Sequence, residues 1–453
     1  MEKLNINLRR ICDHYLYTNR FGDWAFLDEK QHNLMQKKKK SPSLLKNTKI
    51  EALLNPSKRS LERYYQKIRR YEFRNTSLHI IHLTRRCNQK CRYCHSSVKS
   101  IKSKDSDLDI KTARKIVDFI FQTPEKSISI EFQGGEPVLN FKVLRFIVGY
   151  SQKINKKYKK KIRYCLTTNL TALNDEIVNF FIDNNISFGS SLDGPKEVND
   201  KMRVFENGNG TYEEVMKKTE ELKKKYNIKP HFILVTSKES LNNYKEIIDE
   251  YVRLEQPEIQ LVKNISYTGY GKRCAGKEGL NLKQFKEFWT KSCDYIIELN
   301  KKGINIKPRI GGEFVKKIMR NNPTNLTEYR SPCGMIRGQL NYSIDGSIYC
   351  CDTAQNFERF KIGDVFRDNY QEVINSEKSK ELIDKSRLNF PQCLKCVYRS
   401  WCGICVVETY SKTGSTNIKK DDEWCQRNKI MFDYIFRKIL TDKEAGRIIK
   451  RWA

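Results

Sequence analysis

The sequence predicts an α/β fold: an open, partial (βα)6 barrel, preceded by a small α+β segment and followed by a cysteine-rich module. Three observations carry this reading. Six short apolar segments between residues 78 and 263 alternate with stretches of helical periodicity, the pattern of parallel βα units. Five polar or glycine-rich signals follow the predicted C-terminal strand ends, on the rim where parallel βα folds assemble their sites. Beyond residue 331 the chain changes to short strands, turns and cysteines.

The elements follow in order. In residues 1–75, "YLYTNRFGDWAFLD" reads as a hairpin around "RFGD", then a short helix, the loop-like run Lys37–Lys40 and a basic helix over 58–72. The barrel, 76–275, opens with the strand "LHIIHLT", which ends at a cysteine loop, and "TARKIVDFIFQ" has helical spacing. The strand "SISIEF" runs into "QGGEP", a helix spans about 140–157, and the strand "IRYCLTT" follows. Helical "DEIVNFFIDN", the strand "ISFGSSL" ending in "SLDGP", a helix over 211–226, the strand "PHFILVT", a helix over 241–254 and the strand "IQLVK" before "SYTGYGKR" complete six units. A connecting helical segment is expected over 276–332, the cysteine-rich module over 333–430, and a C-terminal helix over 431–453.

With 453 residues, 38% of them hydrophobic, the chain can bury a large core. It contains no run of about 18 apolar residues, so no membrane helix is expected. The start, "MEKLNINLRRICDHYLYTNR", has no apolar stretch of the secretory kind, and the cytoplasm is the expected compartment. Fifteen cysteines there imply metal binding wherever their spacing is tight, not a disulfide framework. A formal charge of +32 invites a nucleic-acid reading. The lysines are spread along the whole chain, however, which favours a general bias of composition, with an acidic peptide partner as the second choice.

"TRRCNQKCRYCHSS" gathers Cys87, Cys91 and Cys94 within eight residues. Three thiolates from one loop can hold a cubane cluster and leave one iron open. Structural zinc would be closed by four ligands. His95 is a poor fourth, because adjacent residues rarely chelate one tetrahedral metal.

Cys87-x3-Cys91-x-Tyr93-Cys94 after a first barrel strand resembles the signature of radical S-adenosylmethionine (SAM) enzymes, with the aromatic residue before the third cysteine. The resemblance implies a TIM-like barrel and a 4Fe–4S cluster whose open iron chelates SAM. The other rim motifs match in order. Gln133, Gly134, Gly135 and Glu136 in "FQGGEP" resemble the family's GGE motif, with the glycines expected to let the backbone approach the SAM amino group and Glu136 to accept from a cation. Asn169 in "TTN" and Ser191 and Asp193 in "SLDGP" resemble the polar positions around the ribose and methionine moiety. Arg203 in "VNDKMR" resembles the arginine that faces the SAM carboxylate, and a surface ion pair is its plainer explanation.

The later cysteines, Cys333, Cys351, Cys393, Cys396, Cys402, Cys405 and Cys425, would also satisfy a zinc ribbon when read alone. They resemble the SPASM extension, which carries two auxiliary 4Fe–4S clusters. On that resemblance Cys393, Cys396, Cys402 and Cys425 hold one, and Cys333, Cys351 and Cys405 the other. Only two residues separate Cys402 from Cys405, where the family usually has three, and no cysteine lies shortly before Cys333. The cluster nearer the substrate then has an open iron or recruits Cys350. Asp352 matches the aspartate that acts as base in sulfatase-maturing relatives, and an X–H carbon that has lost a hydrogen atom still has a proton to lose on oxidation. A carboxylate capping a turn is the alternative.

From about residue 17 to 437 the sequence resembles the His-Xaa-Ser-system radical SAM/SPASM peptide maturases. That implies a ribosomally made precursor peptide as substrate, to be cross-linked, epimerised or given a thioether. It also implies a second radical SAM protein beside it and an electron donor such as flavodoxin or ferredoxin. The hairpin Tyr15–Leu27 could then offer an edge to a leader peptide, or simply cap the barrel. A formylglycine-forming sulfatase maturase is the alternative. A zinc-ribbon nucleic-acid-binding protein is the remote one, because it leaves the rim motifs unexplained.

Overall fold

The computed structural model describes residues 6–37, 48–96, 98–261, 271–320, 324 and 326–453, without the side chains of 271–274. The residues Lys38–Lys40 of the lysine run and most of "SYTGYGKR" lie outside the described residues.

At the N-terminus, β1 (Asn7–Ile11), β2 (His14–Thr18) and β3 (Trp24–Leu27) form an antiparallel sheet in that order. The helices Glu29–Gln36, Thr48–Leu54 and Lys58–Glu72 follow. Tyr17, Ala25, Leu27, Met35, Ile50 and Leu53 give this segment a small core of its own. Ile11 and Leu16 join the main core, and Trp24 donates to the Ile318 carbonyl at 3.4 Å. The segment also packs on the stretch joining Cys396 to Cys402: Thr18 donates to the Val397 carbonyl at 2.8 Å, Lys67 Nζ to that of Ser400 at 2.7 Å, and Ser400 to that of Asn19 at 2.8 Å.

The central sheet has eight strands. β4 (Leu78–Thr84), β5 (Ser127–Gly134), β6 (Lys161–Thr167), β7 (Ser187–Ser191) and β8 (His231–Ile233) pair in parallel in sequence order. Between them lie amphipathic helices such as Ile110–Phe121 and Asp175–Asp183, whose N-caps Asp109 and Asn174 accept from the N3 backbone amides of Thr112 and Ile177. β4 is buried almost throughout because it is covered on both faces, so its apolar residues run consecutively.

The expected sixth strand, "IQLVK", is not the sixth of this sheet. Among the described residues only β9 (Glu258–Ile259) is extended there, and it pairs with β10 (Lys307–Pro308). The sixth parallel strand is β11 (Gln339–Tyr342), which docks beside β4 and carries β12 (Ser347–Tyr349) and β13 (Lys361–Asp364) with it. The cysteine-rich module therefore continues the barrel sheet, and one hydrophobic core runs through both. The expected C-terminal helix is two helices, Glu423–Thr441 and Lys443–Arg451, and the first already contains Cys425.

Candidate active site

The loop after β4 is anchored before it reaches the first cysteine. Buried Arg86 makes a two-bond pair with Asp107, at 2.8 and 2.7 Å, and also donates to the Ile101 and Leu139 carbonyls. From the other side the "QGGEP" turn zips onto it, with the Gly135 amide donating to the Thr84 carbonyl and the Glu136 amide to that of Arg86, both at 2.8 Å. This contact explains the two glycines. A Cβ on Gly134 would lie 2.3 Å from the Thr84 oxygen, and one on Gly135 2.1 Å from that of Arg86. The glycines thus let two strand-end loops touch and so fix the cysteine loop, while both also line the rim cavity.

Cys87, Cys91, Cys94, Tyr93, Gln133, Gly134, Gly135, Glu136, Asn169, Ser191 and Arg203 all line one cavity at the C-terminal rim. Glu136 is only 1% exposed. It accepts from the Thr168 hydroxyl at 2.8 Å and the Asn169 amide at 2.7 Å. Burial, partly offset by these bonds, raises its pKa to about 7. Asn169 in turn donates to Asn88 Oδ1 at 2.8 Å and lies 3.8 Å from Cys87 Sγ, so one hydrogen-bonded chain runs from the GGE turn to the cysteine loop.

Asp193 does not face this cavity. Its carboxylate accepts from the Tyr93 hydroxyl and, at 3.0 Å, from the Val235 amide, and pairs with Arg203 Nε at 3.1 Å. The expected contact with the SAM ribose or methionine region is thus replaced by a supporting role beneath Tyr93 and Arg203. Nor is Arg203 in a surface pair: it is buried, its guanidinium lies 5.2 Å from the Tyr93 ring centroid, and Nη1 reaches to 3.9 Å from Cys91 Sγ. A cation beside a thiolate favours the charged form.

A second cavity, of about 500 Å3, lies between the barrel rim and the cysteine-rich module. It shares His95, Glu131, Gln133, Ile233 and Asp352 with the first. Cys333, Cys351 and Cys405 line it. Asp352 stands at the junction, with Oδ1 3.8 Å from His82 Nε2 on β4.

The later thiols fall into two electrostatic neighbourhoods. Cys393 feels Cys425 and Cys396, and Cys402 feels Cys396 and Cys425. Cys405 feels Cys333 and Cys351. Cys350 is fully buried and acts on Cys351 through a hydrogen bond. Burial raises the pKa of Cys333, Cys393 and Cys402 to about 12 and, in the first loop, that of Cys91 to about 11. Cys351 is raised first by its hydrogen bond with Cys350 and then by burial.

Two family profiles match. That of the Radical SAM superfamily covers residues 81–251, and that of SPASM, an iron–sulfur cluster-binding domain, covers 333–397. The chain carries a radical SAM domain followed by a SPASM domain. It is an enzyme whose cofactors are a 4Fe–4S cluster and SAM. Relatives include a cysteine-type anaerobic sulfatase-maturating enzyme of Clostridium novyi, 25% identical over 78% of this chain and 93% of its own. A serine-type enzyme of that name from Bacteroides thetaiotaomicron is 25% identical over 80% and 92%. Among solved structures, native anSMEcpe with bound AdoMet and the Cp18Cys peptide superposes with a TM-score of 0.67 at 22% identity, over 82% of this chain and 99% of that one. Streptococcus suis SuiB bound to its precursor peptide SuiA gives 0.57 at 17%, over 93% and 98%.

The residues suit the cluster. The iron ligand is the thiolate, so cluster binding has to displace these protons, and Arg203, 3.9 Å from Cys91 Sγ, favours the charged form there. A cubane takes one thiolate per iron, which a loop of three serves with one iron to spare. Sequence reasoning missed Arg86, Asp107, Thr168 and His82, and weighed His95 only as a zinc ligand. Arg86, a charge beside the first cysteine, and Thr168, within "TTN", had a local signal. Asp107 and His82 meet their partners only through the fold.

Proposed function

We propose that this radical SAM/SPASM enzyme is a peptide maturase that modifies a ribosomally made precursor. The observation that carries this is the junction of the two cavities at Asp352. The rim cavity suits SAM and the inner one, at about 500 Å3, suits a segment of peptide with its side chain. When bound, the cluster and SAM together supply a hydrogen-abstracting 5′-deoxyadenosyl radical.

The chain's own groups do the rest. Glu136, Asn169 and Ser191 orient the cofactor from the rim. Arg203 sits beside the cysteine loop, held by Asp193. Asp352 stands where it can take the proton released as a substrate carbon that has lost a hydrogen atom is oxidised, with the electron passing to the auxiliary cluster that Cys333, Cys351 and Cys405 would hold. Cys333, Cys351 and Cys405 serve as one auxiliary set facing the substrate, and Cys393, Cys396, Cys402 and Cys425 as a second set farther out.

The share of the chain that each solved structure covers favours a small-peptide maturase. SuiB, which was solved with its precursor peptide, aligns with 93% of this chain, against 82% for the sulfatase-type structure. The sulfatase-maturating relatives keep the second reading, formylglycine formation, in contention. Both are tested by co-expressing the enzyme with short peptides encoded beside its gene and with a sulfatase-derived peptide, followed by mass spectrometry. Loss of two hydrogen atoms, or an epimer, in the neighbouring peptide supports the first reading. Formylglycine in the sulfatase peptide alone overturns it.

A further inference from the structure

We propose that the groove beside Cys396 docks an acidic one-electron carrier protein and is the point of electron entry. The inference rests on the reading that Cys393, Cys396, Cys402 and Cys425 hold an iron–sulfur cluster. It adds where and by what that cluster is reduced.

The groove lies between β1 and the cysteine-rich module. Arg9, Lys395, Lys420 and Lys429 line it together with Cys396. Arg9 is paired with Asp433 at 2.8 Å, so the three lysines carry its net charge. Asn7 ties β1 to the loop that carries the thiol, donating to the Leu394 and Cys396 carbonyls at 3.2 and 3.1 Å. Lys429 acts electrostatically on Cys393, Cys396 and Cys425. Leu8 in the groove is 43% exposed, and Leu394, next to Lys395 in the sequence, is 44% exposed, so apolar surface accompanies the lysines.

Electron tunnelling weakens steeply with distance, so a carrier should bind where a cluster ligand reaches the surface. Electron-transfer complexes are small and short-lived, and opposite charge supplies their steering. A basic groove is unremarkable on a chain of charge +32. A basic groove with a thiol of the outer set in its wall is not explained by that bias. In the transfer one electron leaves the carrier, which is oxidised by one, and the cluster is reduced by one. No bond forms or breaks.

The neighbouring groove provides the control. It borders β1 on its other side, is lined by Arg10, Lys286 and Arg437, and contains Asp433 but no thiol of the outer set. The experiment is stopped-flow reduction of the reconstituted full-length enzyme by flavodoxin hydroquinone, read as bleaching of the cluster band at several ionic strengths. Wild type should show a rate that falls with salt. Lys395→Glu/Lys420→Glu should lower the rate tenfold or more at low salt and flatten its salt dependence. Lys286→Glu/Arg437→Glu should leave it near wild type, and dithionite should reduce all three proteins alike. Equal rates in wild type and the first double variant, or equal losses in both double variants, overturn the proposal. If Cys396→Ala leaves the iron content and spectra unchanged, the ligand assignment beneath it has failed instead. Unchanged reduction by flavodoxin, with Lys395- and Lys420-dependent binding of an acidic peptide, would reassign the groove to the precursor and also overturn it.

Discussion

Asp193 Oδ2 lies 3.1 Å from Arg203 Nε, and both residues are buried beneath the cysteine loop. Since Asp193 also takes the Tyr93 hydroxyl, one carboxylate aligns both the aromatic residue of the cluster motif and the cation beside Cys91. Asp193→Asn removes the charge and leaves Arg203 buried without its counter-ion, at a cost on the order of 3 kcal/mol. The variant should unfold at lower denaturant, bind SAM more weakly and show a shifted cluster potential. A wild-type potential and wild-type SAM affinity would reduce Asp193 to a packing residue.

Gly135→Ala places a methyl 2.1 Å from the Arg86 carbonyl oxygen. The two loops must separate, and the Glu136-to-Arg86 backbone bond goes with them. Iron bound per chain after reconstitution should fall by about one cluster's four atoms, with the SPASM sites retained. Full iron content would mean that the cysteine loop does not depend on this contact.

Asp352→Ala should separate SAM cleavage from product formation. 5′-Deoxyadenosine should still appear, while modified peptide falls by about 10²-fold or more. His82→Gln, altering the residue 3.8 Å away, should give a smaller loss of the same kind. Peptide modified at the wild-type rate by Asp352→Ala would make Asp352 the turn-capping carboxylate of the alternative reading.

His79 gives the pH prediction. It is fully buried on β4, with Nδ1 2.8 Å from the Tyr342 hydroxyl on β11, and burial lowers its pKa to about 3. The folded chain therefore refuses a proton that the unfolded chain accepts below its ordinary value of 6.5. Stability is complete above that value and is lost as pH falls towards 3. Between pH 7 and pH 5 the loss from this group is about 2 kcal/mol. Urea unfolding at the two pH values should show it in wild type and not in His79→Gln. An equal slope in both proteins would assign the pH dependence to other groups.

Much of the site was legible because its signals are local. The eight-residue spacing of Cys87, Cys91 and Cys94, the glycine pair before Glu136 and the polar strand ends report their position through sequence alone. Asp193 was misread for a physical reason. Alternation along a strand end does not say whether a carboxylate turns to the cavity or beneath it, and only its partners, Tyr93 and Arg203, decide that.

By itself the sequence determined the barrel's alternating units, the thiols and the rim motifs, since each is set by periodicity or by spacing within one loop. The tertiary structure alone decided that β11, and not "IQLVK", is the sixth parallel strand, because pairing beside β4 depends on which edge a distant strand can reach. It also decided that Asp352 stands at the meeting of two cavities and that Cys396 opens onto a cationic groove. These are contacts between segments hundreds of residues apart, and no local pattern encodes them.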